Sequence, residues 1–252
     1  MPALRQRHET ISQAMLLAAV GGFLDAFTFI RFSVFANAQT GNVILLAVNA
    51  SAGHWHAALA RLAPIGAFVF GVLFVETLAR PAARRLLRRP LPIVLGMEIV
   101  GLLIVSTLPT AAPEWVITVT VSFVAAIQFS TFRMMAGQVY ATVLTSGNLR
   151  SAAVHLHHWL VDRDMSARAN AARFSKVIAA FAIGAVLSGL ITPRIDNLAV
   201  AVPAALLVAV LFLVLLETRR MRNTAGAGGN AAPVEQTSPP ESSPASPNTE
   251  KQ

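Results

Sequence analysis

The sequence contains no cysteine and few charged residues, and each shortage narrows the class of protein. Without cysteine the chain can form no disulfide, no thiolate metal site and no thiol nucleophile. Charged residues make up 13% of the 252 residues, whereas a soluble domain carries roughly 25%. Apolar residues make up 55% of the chain, and the mean hydropathy is +0.60. The composition therefore indicates an integral membrane protein.

The excess of positive charge fits the same class. The chain has 20 Lys and Arg against 12 Asp and Glu, a net charge of +8. These basic residues cluster between apolar segments, as in the cytoplasmic loops of membrane proteins. We therefore expect the protein to contact the lipid bilayer and not to bind nucleic acid. A homo-oligomer is compatible with this composition.

Six segments are long and apolar enough to cross a bilayer, since about 20 helical residues span a core of roughly 30 Å. They are residues 12–32, 58–79, 91–110, 115–135, 174–192 and 198–217. With six spans, the arginine-rich stretches and both termini all fall on the cytoplasmic side. The sequence thus predicts an all-α, polytopic membrane helix bundle.

Two stretches between these spans carry one short motif. Thr40-Gly41-Asn42 precedes a short apolar run, and Thr145-Ser146-Gly147-Asn148 repeats the pattern about a hundred residues later. A capping residue, a glycine and a helix too short to cross predict a re-entrant half-helix in each place. If both stretches crossed fully, basic clusters would move outside, which the positive-inside rule disfavours.

The motifs belong to a longer internal repeat. Asp25 to Phe29 matches Gln128 to Phe132 at a distance of 103 residues, and the two Gly-Asn pairs stand 106 apart. The matching spans run in opposite directions, which predicts a 3+3 inverted repeat of residues 12–110 and 115–217, an architecture of transporters and channels. Residues 1–217 are then one membrane domain. Residues 218–252, rich in Pro and Ser, are expected to form a disordered cytoplasmic tail.

Polar side chains within the repeats are the candidate solute-binding residues. A carboxylate near a helix centre costs at least ~2.5 kcal/mol, so Asp25 is expected to bind protons or cations, or else to be hydrogen-bonded to Thr28 or to backbone on another helix. Half-helix N-termini suit an anion or a solute with acceptor atoms, unless their polar residues only cap buried helices. The candidates are Asp25, Thr28, Thr40, Gly41, Asn42, Gln128, Thr131, Thr145, Gly147 and Asn148.

Other polar residues have simpler interpretations. Arg31 and Arg133, at the ends of the first and fourth spans, either attract anions or reach to the interface. Glu98 is expected to pair with a group on a neighbouring helix. The histidines lie beside tryptophans at interface depth, so we expect no metal site and no cofactor.

Small residues at four-residue spacing predict close helix packing. One such stripe lies on the first span and a second on the fifth, and their members are Ala14, Ala18, Gly22 and Ala26, and Ala180, Gly184 and Ser188.

The combination of Gly21-Gly22-Phe23-Leu24-Asp25-Ala26 with Thr40-Gly41-Asn42 resembles the YoaK-like family of bacterial inner-membrane proteins, the domain of unknown function 1275. The second motif agrees, although it contains the additional Ser146. The resemblance covers most of residues 12–217 and implies a location in the bacterial inner membrane. It brings no established biochemistry.

The architecture predicts a permease or channel for a small polar or anionic solute, with Asp25 as the coupling or gating carboxyl. The alternative is a non-transporting scaffold or regulatory subunit that acts through its basic cytoplasmic face, including Arg84, Arg85, Arg88 and Arg89. An enzyme is not expected, because the spacing offers no paired carboxylates or histidines for one cavity.

Overall fold

Helices form almost all of the regular structure in the computed structural model. It describes residues 9–82, 90–135, 138–140 and 145–228, with backbone alone for residue 90 and residues 220–228. The helices are α1 Ile11–Phe32, α2 Gln39–Ser51, α3 Trp55–Ala60, α4 Leu62–Leu78, α5 Pro90–Thr107, α6 Glu114–Thr131, α7 Thr145–Asp162, α8 Met165–Ile195 and α9 Ala201–Gly228. We call α1 to α5 the first half and α6 to α9 the second half.

Each of the six apolar segments overlaps helical structure of this series, and segment 58–79 covers the end of α3 and all of α4. Four stretches are long and apolar enough to cross a membrane, and α5 is apolar but shorter. The four are Ile11–Phe32, Trp55–Leu78, Glu114–Thr131 and Met165–Arg219. The last contains two helices, because a 3-10 helix at Asp196–Val200 separates α8 from α9. The chain is therefore an all-α membrane protein by the length and composition of its helices.

Several predicted helix ends were wrong, because local capping rather than hydrophobicity sets them. The fourth segment was expected to reach Met135, but α6 ends at Thr131 and an extended residue follows. Two short strands, Met134–Met135 and Gln138–Val139, then pair antiparallel. The N–H of Glu9 donates to the Met134 carbonyl at 2.8 Å, which ties the start of the described chain to this hairpin.

The last helix also departs from the expected boundary. It continues to Gly228, past the predicted end of the membrane domain at residue 217. Residues Met1–Leu215 form one compact unit, and residues from Leu216 onward form a second. The rest of the predicted tail, residues 229–252, and the basic cluster Arg84–Arg89 lie outside the described residues.

The first helix owes its limits to polar groups at both ends. The Thr10 hydroxyl accepts from the Gln13 N–H at 3.4 Å, and the Gln13 side chain accepts from the Thr10 N–H at 3.1 Å. This reciprocal pair is a capping box, which satisfies otherwise unpaired donors. At the other end Ser33 adopts a left-handed conformation, and its N–H donates to the Phe29 carbonyl at 2.8 Å.

Glycines allow α1 and α8 to pack backbone against backbone. A Cβ on Gly22 would lie 2.0 Å from the Phe181 carbonyl oxygen, and one on Gly184 would lie 2.0 Å from that of Ala19. Both glycines belong to the predicted small-residue stripes, so that prediction is confirmed. Helices α4 and α6 pack less closely, since a Cβ on Gly71 would lie 3.0 Å from the Phe123 carbonyl oxygen.

Candidate functional site

The loop between α1 and α2, residues 33–38, is held against α1 by a buried carboxylate. The Asn37 N–H donates to Asp25 Oδ1 at 2.7 Å, and Asn37 Nδ2 donates to the Gly21 carbonyl at 3.2 Å. Asp25 is 7% exposed and Asn37 is 2% exposed. The Asp25 carboxylate therefore accepts a hydrogen bond from loop backbone, and not from the backbone of another helix as the alternative interpretation expected.

Thr28 does not satisfy Asp25 through its side chain. The Thr28 hydroxyl donates to the Leu24 carbonyl at 3.0 Å and approaches the Asp25 carbonyl at 3.3 Å, both on its own helix. This is the usual behaviour of threonine inside a membrane helix, where no water is available to its hydroxyl.

Asn42 closes the same loop from the α2 side. Its Oδ1 accepts from the Phe35 N–H at 2.8 Å, and its Nδ2 donates to the Phe35 carbonyl at 2.7 Å and to Gln39 Oε1 at 2.9 Å. Asn42 is 0% exposed. One amide side chain thus satisfies both backbone groups of Phe35, which would otherwise be unpaired in an apolar setting.

The start of α2 differs from the expected one. Its N-cap is Ala38, without a side-chain hydrogen bond, and Thr40 is an exposed residue of the first turn. The prediction that Thr40 caps this helix was therefore wrong, because Asn42 reaches back to the loop instead. Gly41 is needed for packing, since a Cβ there would lie 2.7 Å from Cδ2 of the Phe35 ring.

The second half places its matching residues differently. Gln128, the counterpart of Asp25, is 0% exposed and donates from Nε2 to the Leu17 carbonyl on α1 at 2.9 Å. Its Oε1 and the hydroxyls of Thr131 and Thr145 are buried and have no partner among the described residues. Asn148, like Asn42, is buried, at 3% exposed.

A cleft of about 460 Å³ opens at the start of α7. Gly147 borders it, and a Cβ there would meet no described residue within 4 Å. The polar groups that line this cleft come from the end of α6, the hairpin and the first turns of α7, and they are Arg133, Tyr140, Ser146, Asn148, Arg150 and Ser151. The cleft therefore combines basic side chains with the N-terminus of a helix.

The cleft contains two arginines, and the negative charge of Glu9 acts on its lining at Tyr140. Neither Arg133 nor Arg150 forms an ion pair or hydrogen bond with a described residue, whereas Arg31 in the first half pairs with Asp196. Burial, and to a lesser extent the charge of Glu9, raises the pKa of Tyr140 well above its ordinary value. Tyr140 therefore keeps its proton and adds no negative charge.

Arg150, Tyr140 and Ser146 were missed as candidates, although two of them stand inside or beside the second motif. Arg150 follows Gly147-Asn148 by two residues, so its position in the first turns of α7 was a usable signal. No sequence pattern pointed to Tyr140, because its position at the cleft depends on how the hairpin folds. Among the described residues, no three His, Asp or Glu side chains are grouped to hold a metal ion.

Comparison with known proteins identifies the family. The family model described as "Protein of unknown function (DUF1275)" matches residues 13–213. The chain belongs to this family. The match extends from α1 into α9, so the DUF1275 resemblance seen in the Asp25 and Gly-Asn motifs is confirmed. No curated protein matches the chain, and no solved structure matches it.

Proposed function

We propose that this DUF1275 protein is an inner-membrane permease or channel for a small polar or anionic solute, and not an enzyme. The observation that carries the proposal is the cleft at α7. Two arginines without described partners, Arg133 and Arg150, stand beside a helix N-terminus whose Gly147 is uncovered. Guanidinium groups and helix N-terminal N–H groups both favour negative charge or acceptor oxygens.

The proposed framework is a 3+3 inverted repeat of six spans with both termini in the cytoplasm. Two contacts between helices support it. Gly184 packs on Ala19 across α1 and α8, while Gly71 packs on Phe123 across α4 and α6. In the repeat these pairs correspond, because α1 matches α6 and α4 matches α8.

The two helices that begin with the Gly-Asn motif, α2 and α7, support the same framework. Each follows a long apolar helix, and each buries the asparagine of its Gly-Asn pair, Asn42 in α2 and Asn148 in α7. At about 1.5 Å per residue, the 13 residues of α2 extend roughly 20 Å, which is too short for a full crossing, whereas the 18 residues of α7 extend roughly 27 Å, so α7 matches α2 by its motif and not by its length. We therefore propose that α2 and α7 are the two re-entrant elements.

In this proposal the two halves have different roles. The solute binds in the α7 cleft, where Arg133, Arg150 and the first N–H groups of α7 attract it. Gln128, Thr131 and Thr145 do not line this cleft, so they have no direct contact with the solute in this proposal. Asp25 acts as a gating carboxyl, because it holds the loop at residues 33–38 closed.

Uptake into proteoliposomes tests the proposal. A panel of small anions and neutral polar solutes is offered to the wild type and to Arg133→Gln. A charge-assisted hydrogen bond contributes about 1.5–3 kcal/mol, so losing one should weaken apparent solute affinity by about tenfold or more. We expect that loss with at least one solute of the panel.

A second arginine provides the matched control. Arg194 lies near the end of α8 and donates to the Leu190 carbonyl of its own helix, so Arg194→Gln removes an equal charge away from the cleft. Uptake should stay close to wild type in this variant. Equal losses in both variants, or no uptake of any solute by the wild type, would contradict the proposal.

A further inference from the structure

Glu98 is a carboxyl group enclosed by the helix core. It lies on α5 and is 0% exposed, and neither Oε1 nor Oε2 has a hydrogen-bond partner among the described residues. Leu95 and Leu102, three residues before and four after it, share its helix face and are also 0% exposed. The expectation that Glu98 pairs with a group on a neighbouring helix was wrong for the described residues.

Contacts with α6 give the depth of Glu98 in the bundle. A Cβ on Gly101 would lie 2.9 Å from Cγ2 of Val124, and Val94 packs in one cluster with Ile127. Because α5 and α6 run antiparallel here, Glu98 is level with the part of α6 between Val124 and Ile127. Gln128 follows directly, and its buried Oε1 is an acceptor without a described partner.

No positive charge within the described residues compensates Glu98. The titratable groups on α1, α4, α6 and the 3-10 helix, which pack in the same clusters as α5, are Asp25, Arg31, Glu76, Glu114 and Asp196; α9 has none before Leu215. Of these, Asp25 binds the loop at Asn37, and Arg31 pairs with Asp196. Glu76 is exposed on α4, and Glu114 is in the first turn of α6.

An ionised carboxylate in this position would be among the most expensive groups a protein can bury. The neutral acid costs far less, because no charge has to leave water. Stability alone would favour leucine or methionine here, as at the neighbouring positions. A residue kept against that preference needs a function that only an acid can perform.

We propose that Glu98 is a proton-binding site in the helix core. The carboxyl holds a proton while α5 packs against α6, and it releases that proton to water when the site becomes hydrated. The binding of the proton is independent of the solute. Its coupling to solute movement would rest on the proposed function.

Infrared spectroscopy of the purified protein in lipid nanodiscs at pH 7 tests the proposal. The C=O stretch of a protonated carboxylic acid should be present in the wild type and lost in Glu98→Gln. It should persist in Asp25→Asn, the matched variant of the other buried carboxyl. In D₂O the band should shift, because a proton that can be released exchanges with solvent.

Isotope labelling makes the test independent of any variant's folding. In wild-type protein, carboxyl-¹³C-glutamate should move the band, whereas carboxyl-¹³C-aspartate should leave it in place. Absence of the band from the wild type, its assignment to aspartate, or a band that never shifts in D₂O would overturn the proposal. A glutamate band in a protein that takes up no solute would leave the proton site standing and refute the proposed function alone.

Discussion

The two loop-and-helix segments of this protein carry the same Gly-Asn pair but fill the space around it differently. After α1, the Phe35 ring covers Gly41, and Asn42 binds both backbone groups of Phe35. After α6, no atom of the residues that the structure describes lies within 4 Å of a Cβ placed on Gly147, and a cleft opens beside it. One motif therefore supports a closed segment in the first half and an open one in the second.

The charges around the two segments differ in the same direction. Arg31 at the end of α1 is neutralised by Asp196, whereas Arg133 beyond the end of α6 has no described partner. Asp25, which holds the first loop, is replaced in the second half by Gln128, whose amide binds α1 instead. A repeated motif thus fixes where the chain turns, and the residues that differ decide whether the turn is accessible.

The largest expected loss of folding stability distinguishes the α1–α8 pair from the α4–α6 pair. In Gly184→Ala the new methyl group meets the Ala19 backbone at 2.0 Å, which cannot rotate away, so we expect a loss of more than about 3 kcal/mol. In Gly71→Ala the nearest backbone atom is at 3.0 Å, and the loss should be about 1–2 kcal/mol. Denaturant unfolding in detergent measures both. Equal losses would show that the two pairs are equally tight.

Replacement of Asn42 should cause the next largest loss of stability. Asn42→Ala removes three hydrogen bonds and leaves the N–H and carbonyl of Phe35 unpaired, so the free energy of unfolding should fall by about 2–3 kcal/mol. Asn49→Ala is the control in the same helix, since Asn49 bonds only to the Leu45 carbonyl in the described chain, and it should cost less than about 1 kcal/mol. A control variant as unstable as Asn42→Ala would rule out the special role of Asn42.

The paired glycines should respond with opposite signs. In Gly41→Ala the methyl group lies 2.7 Å from the Phe35 ring, which must shift, and we expect a loss of about 1 kcal/mol. In Gly147→Ala the methyl group would meet none of the described residues, so the better helix propensity of alanine should stabilise α7 by up to about 1 kcal/mol. Thermal unfolding of both variants measures these changes. A change of the same sign in both would contradict the proposed difference between a covered Gly41 and an uncovered Gly147.

The smallest effect is a pH dependence at the start of α8. Hydrogen bonds from Ser166, from its side chain and then its N–H, hold the pKa of Asp164 below its ordinary value. Its ionised form therefore stabilises the folded state above the unfolded pKa of about 3.9, and this contribution disappears as the pH falls through the lower folded value. Helix α4 in the first half has no side-chain cap at Arg61.

Replacement of Asp164 measures how much its negative charge contributes to stability. Asparagine caps a helix about as well as aspartate, so Asp164→Asn removes mainly the charge. The melting temperature of the wild type should exceed that of the variant at pH 7, and the difference should vanish near pH 3. A difference that stays constant over this range would mean that the charge of Asp164 contributes nothing.

Much of the helix arrangement could be predicted from the sequence, because long apolar runs have a strong physical signature. The stripes containing Gly22 and Gly184 were likewise visible, since small residues at four-residue spacing have few other uses. Helix ends were less predictable. The end of α6 depends on the hairpin that follows, and the start of α8 depends on the cap at Asp164.

The sequence predicted which motif forms the candidate site, but it did not predict the contacts that the residues of the motif make. The repeated Gly-Asn pairs identified Asn42 and Asn148 as special, and both are buried. The partner of Asn42 is Phe35, seven residues away across an irregular loop, and no periodic pattern encodes such a loop. The lining of the cleft by Tyr140 could not be predicted, because it depends on how the hairpin folds back.

The backbone contacts at Gly22 and Gly184 also limit how this molecule can change shape. With carbonyl oxygens pressed against glycine on both sides, α1 and α8 cannot slide past one another and must travel as one rigid body. Helices α4 and α6 form a second body by the contact at Gly71. Any movement of one pair of helices relative to the other would have to break or carry along the hydrogen bond that Gln128 Nε2 on α6 donates to the Leu17 carbonyl on α1.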